Sequence, residues 1–83
     1  MKLIKTNDGL FGWNLNSKMI WCDSRHELIS IGWAHVAKRK DLGEYENFCK
    51  DIAYALDYMT LVNHSVAEFG IFGSFMYTTE DVA

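Results

Sequence analysis

Hydrophobic and polar positions change period twice along the chain. Leu3-Ile4-Lys5-Thr6 runs into Asn7-Asp8-Gly9 and reads as a short strand entering a tight turn. Asp-Gly readily supplies the positive φ angles that a hairpin turn needs. Beyond the turn, Phe11, Trp13 and Leu15 alternate with Leu10, Gly12 and Asn14. That is the period of a strand with one buried face. Asn16-Ser17 offers a second turn and Lys18-Met19-Ile20-Trp21-Cys22 a third strand. The first quarter of the chain therefore predicts a β-meander.

Residues 24–40 fit two periods at once. Ser24 and Glu27 have capping-box spacing, in which the Ser oxygen accepts a backbone N–H three residues on and the Glu carboxylate reaches back. Behind them Ile29, Trp33 and Val36 would share a helical face. Yet Ile29, Ile31 and Trp33 also alternate with Ser30, Gly32 and Ala34, which suits a strand. Gly32 costs a helix about 1 kcal/mol relative to Ala. The cap, and the run Ala34-His35-Val36-Ala37-Lys38 with its base at the end, favour the helix.

The clearest helix covers residues 43–60. Asp41 and Glu44 again have capping-box spacing, and Tyr45, Phe48, Cys49, Ile52, Ala55, Leu56 and Met59 form one apolar stripe. Asn63-His64 marks its exit. Further on, Ala67, Phe69, Ile71, Gly73, Phe75 and Tyr77 share one parity, as a single strand or two strands broken at Gly73-Ser74. Ser65 and Glu68 also match a capping box, so a short helix is the alternative, with Gly70 and Gly73 weighing against it. Thr78 to Ala83 are polar and expected to fray.

Together these segments predict an α+β fold: a small antiparallel β-meander, one long amphipathic helix packed on it, and a C-terminal strand or hairpin. At 83 residues the chain has room for one globular domain, residues 1–83. Half its residues are hydrophobic, too many for a disordered chain. No apolar run reaches the ~18 residues of a membrane span. No signal-peptide core follows Met1-Lys2-Leu3-Ile4-Lys5-Thr6. The expectation is a soluble cytoplasmic protein in which Cys22 and Cys49 are reduced thiols.

Charge divides the chain. Residues 1–40 hold seven of the eight Lys and Arg residues and carry +4, while residues 41–83 carry −7. A net charge of −3 argues against strong non-specific binding to nucleic acid. The split reads as two solvated surfaces or, more sharply, as a basic and an acidic face that meet head to tail between copies.

Catalytic chemistry finds little support. Cys22, His26, His35, Cys49 and His64 lack the paired close spacing of structural zinc ligands. Asp23-Ser24-Arg25-His26 contains the letters of a nucleophile and its base, but Ser24 already has work as a cap and no strand–elbow–helix context surrounds it. The carboxylates Glu44/Glu46 and Asp51/Asp57 lie on the polar side of the long helix, away from any pocket that would separate their pKa values. Gly70-Ile71-Phe72-Gly73 has the spacing of a backbone-clamping loop, but its interior is apolar and its surroundings acidic. Asn63-His64-Ser65 fits a glycosylation pattern that has no meaning without secretion. No enzyme, metal or cofactor is expected.

Aromatic residues carry more. Trp13 and Trp21 fall on adjacent predicted strands near Lys2, Lys5 and Lys18, an arrangement that stacks single-stranded bases in several small modules. Lys38-Arg39-Lys40 would add phosphate contacts. The competing role for these rings is to fill the core. Ile71-Phe72-Gly73-Ser74 followed by Phe75-Met76-Tyr77 slightly resembles the second motif of Sm-like RNA-binding proteins, and Leu3 to Leu15 around Asp8-Gly9 slightly resembles the first. The resemblance covers about a quarter of the chain and implies a ring of small bent barrels that binds RNA. It departs at Phe72, where that motif usually has a basic residue, and in the helix of residues 43–60, which would stand between the strands.

A chain of this size buries only about 60% of its unfolded surface. Association would cover much of the remainder, so a homo-oligomer is expected, with Phe69, Ile71, Phe75 and Tyr77 as its interface. The leading functional expectation is a small non-enzymatic module that self-associates and acts on an unknown protein partner, as a regulator or inhibitor. The alternative is a single-stranded nucleic-acid binder using the sheet aromatics and N-terminal lysines.

Overall fold

The computed structural model describes residues 1–37, 41–62 and 65–79. Their order is β1 (Lys2–Lys5), β2 (Phe11–Leu15), β3 (Lys18–Cys22), α1 (Arg25–Ala34), α2 (Leu42–Val62), β4 (Val66–Phe69) and β5 (Phe75–Thr79). All five strands join one antiparallel sheet in the order β3-β2-β1-β4-β5. The meander, the long helix and the C-terminal hairpin expected from the periodicities are all present. Among the described residues no helix is long and apolar enough to cross a membrane.

Each connection has a local cause. Asn16 and Ser17 both take positive φ, 50° and 68°, the two-residue turn whose twist matches that of the flanking strands. Gly9 takes φ +89°, and the Thr6 hydroxyl accepts from the Leu10 N–H at 3.0 Å to close the first turn. Ser24 caps α1: its Oγ accepts from the Glu27 N–H at 3.1 Å, and Glu27 Oε2 accepts from the Asp23 N–H at 3.4 Å. Asp41 Oδ1 accepts from the Glu44 N–H at 2.8 Å and starts α2 in the same way.

Both helices contribute to a core on one side of the sheet. Leu3, Trp13, Ala67 and Phe69 meet Leu28, Val36, Phe48, Ile52, Ala55, Leu56 and Met59 there. Trp13 lies at the centre, fully buried, with its indole N–H donating to the Leu28 carbonyl at 2.7 Å. Its ring stacks on Phe48 at 6.5 Å between centroids and meets Phe69 edge-on at 5.4 Å.

Three expectations need correction. First, α1 is a helix, but it buries Leu28 and Gly32, and the expected stripe residues Ile29 and Trp33 are only half-buried. The helix ends at Ala34, with His35 as its C-cap, because the backbone turns back to bond Gly32 and Trp33. Second, of the two C-terminal readings the pair of strands broken at Gly73-Ser74 holds, but the break is wider and begins at Gly70. Gly70 N–H donates to Ser74 O and Gly73 N–H to Gly70 O, closing a turn in which Gly73 has φ +81°. Third, Thr78 and Thr79 are held in β5 opposite Ala67 and Val66. The rest of the expected frayed end, and the helix exit at Asn63-His64, lie outside the described residues.

A register shift between Glu68 and Phe69 sets Phe69 opposite Phe75 and Glu68 opposite Tyr77. Phe75 and Tyr77 therefore pair with residues from different sides of β4, although their spacing gave them one parity. A bulge does this by inserting an extra residue into one strand.

Candidate functional site

Among the described residues both helices pack on one side of the sheet, and alternation along each strand turns the remaining side chains to a second face. The pairing register arranges that face in two rows. One runs Trp21, Gly12, Ile4, Val66, Thr79, and the other Met19, Asn14, Lys2, Glu68, Tyr77. Gly12 shapes the β3 end. A Cβ there would stand 2.7 Å from Met19 Cε and 2.9 Å from Trp21 Cε3, so both side chains lean over the one position of β2 that carries no side chain. Trp21 keeps 49% of its surface exposed. Ile4, Met19 and Val66 are half-buried. At the centre, Lys2 Nζ lies 3.8 Å from Glu68 Oε1. The face is therefore apolar at Trp21, Met19, Ile4 and Val66, with one opposed charge pair between β1 and β4.

The residues expected to bind nucleic acid do not gather here. Trp13 is in the core and offers no ring face to a base, because its indole closes the contact between β2 and α1. Lys5 belongs to the helix side, where its Nζ donates to the Met59 carbonyl at 3.4 Å. Lys18 sits opposite Leu15, also on that parity. Lys38, Arg39 and Lys40 lie outside the described residues. Trp21 and Lys2 remain, and Lys2 faces the Glu68 carboxylate.

The expected oligomer strand also divides. Phe69 is 2% exposed and belongs to the core, so it has no surface to give an interface. Ile71 is 70% exposed, but it lies in the β4–β5 turn. Phe75 is half-buried against Phe69 and Tyr54. Tyr77 is half-exposed on β5, which has no further strand beside it among the described residues. Ile4, Met19, Val66 and Glu68 were missed as members of one face. Only the pairing of β1 with β4, which is remote in sequence, brings them together.

Elsewhere, a cleft of about 320 Å³ opens between the first turn, the start of α1 and α2. Phe11, Cys22, Leu28 and Leu56 line it, with Asp23, Arg25 and Asp57 also on its wall. Burial, then the charges of Glu27 and Asp23, push the Cys22 thiol above its ordinary pKa. That is the opposite of an activated thiolate. Ser24 is engaged as the α1 cap. Among the described residues no three His, Cys, Asp or Glu side chains come together as a metal site. On α2, Tyr54 and Tyr58 stack at 6.0 Å, and Tyr54 meets Phe75 edge-on.

No protein-family model, curated protein or solved structure matches the chain. The Sm-like resemblance gains nothing from these comparisons, and its Ile71–Ser74 segment forms the turn between β4 and β5.

Proposed function

We propose that this chain is a small non-enzymatic binding module that self-associates and acts through protein–protein contacts, with the uncovered sheet face as its contact surface. The observation that carries this reading is the sheet itself: among the described residues five strands have both helices on one side, and on the other a half-exposed Trp21 stands beside Met19, in the row that continues to Ile4 and Val66. Tryptophan is enriched among the residues that dominate protein interfaces. The charge on this face is balanced, with Lys2 against Glu68, whereas a nucleic-acid groove needs an excess of positive charge.

Sedimentation velocity over a wide concentration range tests the reading. The weight-average mass should rise with concentration. Trp21→Ser should weaken the association about thirtyfold, as expected for an interface tryptophan worth ~2 kcal/mol, while circular dichroism shows the fold unchanged. A constant monomer mass at every concentration would remove the self-association. Quenching of tryptophan fluorescence by short single-stranded RNA or DNA at low salt, lost in Trp21→Ser, would transfer the face to the nucleic-acid reading.

A further inference from the structure

We infer that the occupant of the uncovered face is a second copy of this chain, laid face to face about a two-fold axis that runs along the strands between β1 and β4. This rests on the functional reading above and names its partner. The geometry follows from the order of strands. Such an axis exchanges left and right across the sheet, so β1 of one protomer lies over β4 of the other. Lys2 then faces Glu68 of the partner subunit, and Ile4 faces Val66 of the partner subunit, because Lys2 pairs with Glu68 and Ile4 with Val66 within each chain.

The charges select a second copy as the occupant. The described part of this face has one cation and one anion, side by side on neighbouring strands, with side chains 53% and 22% exposed. An isologous interface must be complementary to itself. A plus and a minus on either side of a two-fold axis meet this condition: each charge of one protomer faces its opposite on the other, and two pairs form. A single-stranded nucleic acid would meet Glu68 at the centre. An apolar foreign surface would strip water from both charges without giving either a new partner.

The same operation places Trp21 beyond Tyr77 and Thr79 of the partner subunit, because β3 lies one strand farther from the axis than β5 does. The indole would then lie along the outer edge of the partner's β5. An open strand edge is a site for unwanted pairing, and covering it is one of the ways proteins manage that hazard. Strand spacing and rise give a face of roughly 24 by 15 Å, and packed sheets stand about 10 Å apart. Two such outlines bury roughly 700 Å² together, below the ~1,200 Å² of a standard interface, so the dimer is a weak, transient one that should dissociate at tens of micromolar or above.

Charge exchange tests the axis. Lys2→Glu and Glu68→Lys, each alone, should weaken self-association at least about tenfold, since like charges then face each other twice across the axis. Mixed together, the two variants should form a heterodimer as tight as the wild-type homodimer, read by sedimentation with one variant fluorescently labelled. The Lys2→Glu/Glu68→Lys double variant keeps a cross-strand pair within each chain and serves if a single variant fails to fold. It should self-associate like wild type and not mix with it. If wild type associates and Trp21→Ser weakens it, but the charge variants neither lose homodimers nor gain heterodimers, the two-fold placement is wrong and the functional reading stands. If wild type stays monomeric, both fall.

Discussion

Gly32 rests directly on the indole of Trp13: a Cβ at that position would lie 2.6 Å from Cζ2 and 2.9 Å from Cε2 of the ring, and 2.9 Å from Phe48 Cζ. The same indole donates to the Leu28 carbonyl, one turn earlier in α1. The helix is thus set against β2 at two points a turn apart, one a hydrogen bond and the other a close approach that only glycine permits.

Gly32→Ala should therefore lower stability even though alanine is the better helix former. The propensity gain is about 1 kcal/mol. Against it stands overpacking of ~1–3 kcal/mol, toward the upper part of that range here, because the obstructing atoms belong to buried rings. The net expectation is a loss of about 1–2 kcal/mol in urea unfolding. A stability equal to or above wild type would show that α1 stands farther from Trp13.

The two sheet tryptophans should respond differently to the same substitution. Trp13→Phe removes a buried donor and leaves a void beside Phe48 and Phe69, at a cost of about 1–3 kcal/mol. Trp21→Phe, on a half-exposed residue, should change monomer stability by no more than about 0.5 kcal/mol. Denaturant midpoints at a concentration below self-association check both, and equal losses would contradict the assignment of one ring to the core and the other to the surface.

These tryptophans also show how far the sequence could be read. Both sit in alternating segments, and alternation defines two faces of a strand without saying which face the helices cover. Parity alone therefore left Trp13 and Trp21 as equal candidates for a binding surface. The period of α2 left less open: Phe48, Ile52, Ala55, Leu56 and Met59 of its expected stripe are all buried. In α1 the expected stripe of Ile29, Trp33 and Val36 follows apolar side chains alone, whereas the helix meets the sheet at Gly32, which has no side chain to mark it. The uncovered face could not be assembled in advance, since it depends on Lys2 and Ile4 pairing with Glu68 and Val66 across two helices of intervening chain. Gly73 illustrates the same limit. Its positive φ was foreseeable at a strand break, but its approach to Phe48 and Val36, where a Cβ would stand 2.8 Å from each, was not.

The helix caps were legible as spacing and can be tested as energies. Ser24→Ala removes the acceptor for the Glu27 N–H and Asp41→Ala the acceptor for the Glu44 N–H. Each should cost about 1 kcal/mol, within the usual 0.5–2 of an N-cap. The single variants and the double variant, compared by thermal or urea unfolding, should give additive losses, because each cap serves its own helix. A double variant no less stable than either single one would contradict independent caps.

Cys22 gives the fold a dependence on alkaline pH. Cys22 is 7% exposed at the end of β3, and burial, reinforced by Glu27 and Asp23, raises its thiol pKa above the ordinary value. The folded chain therefore holds this proton more tightly than the unfolded chain does. The contribution to stability is fully present below the unfolded thiol pKa of about 8.5 and is lost as pH rises through the higher folded value. The quantity to measure is the difference between wild type and Cys22→Ala. Wild type should lose stability relative to the variant from about pH 8.5 upward, and the two curves should run parallel below it. Alkylation by iodoacetamide gives a second readout, with Cys22 reacting more slowly at pH 8 than after unfolding in urea. Parallel unfolding curves across the whole alkaline range would show that the thiol is not held in its protonated form by the fold.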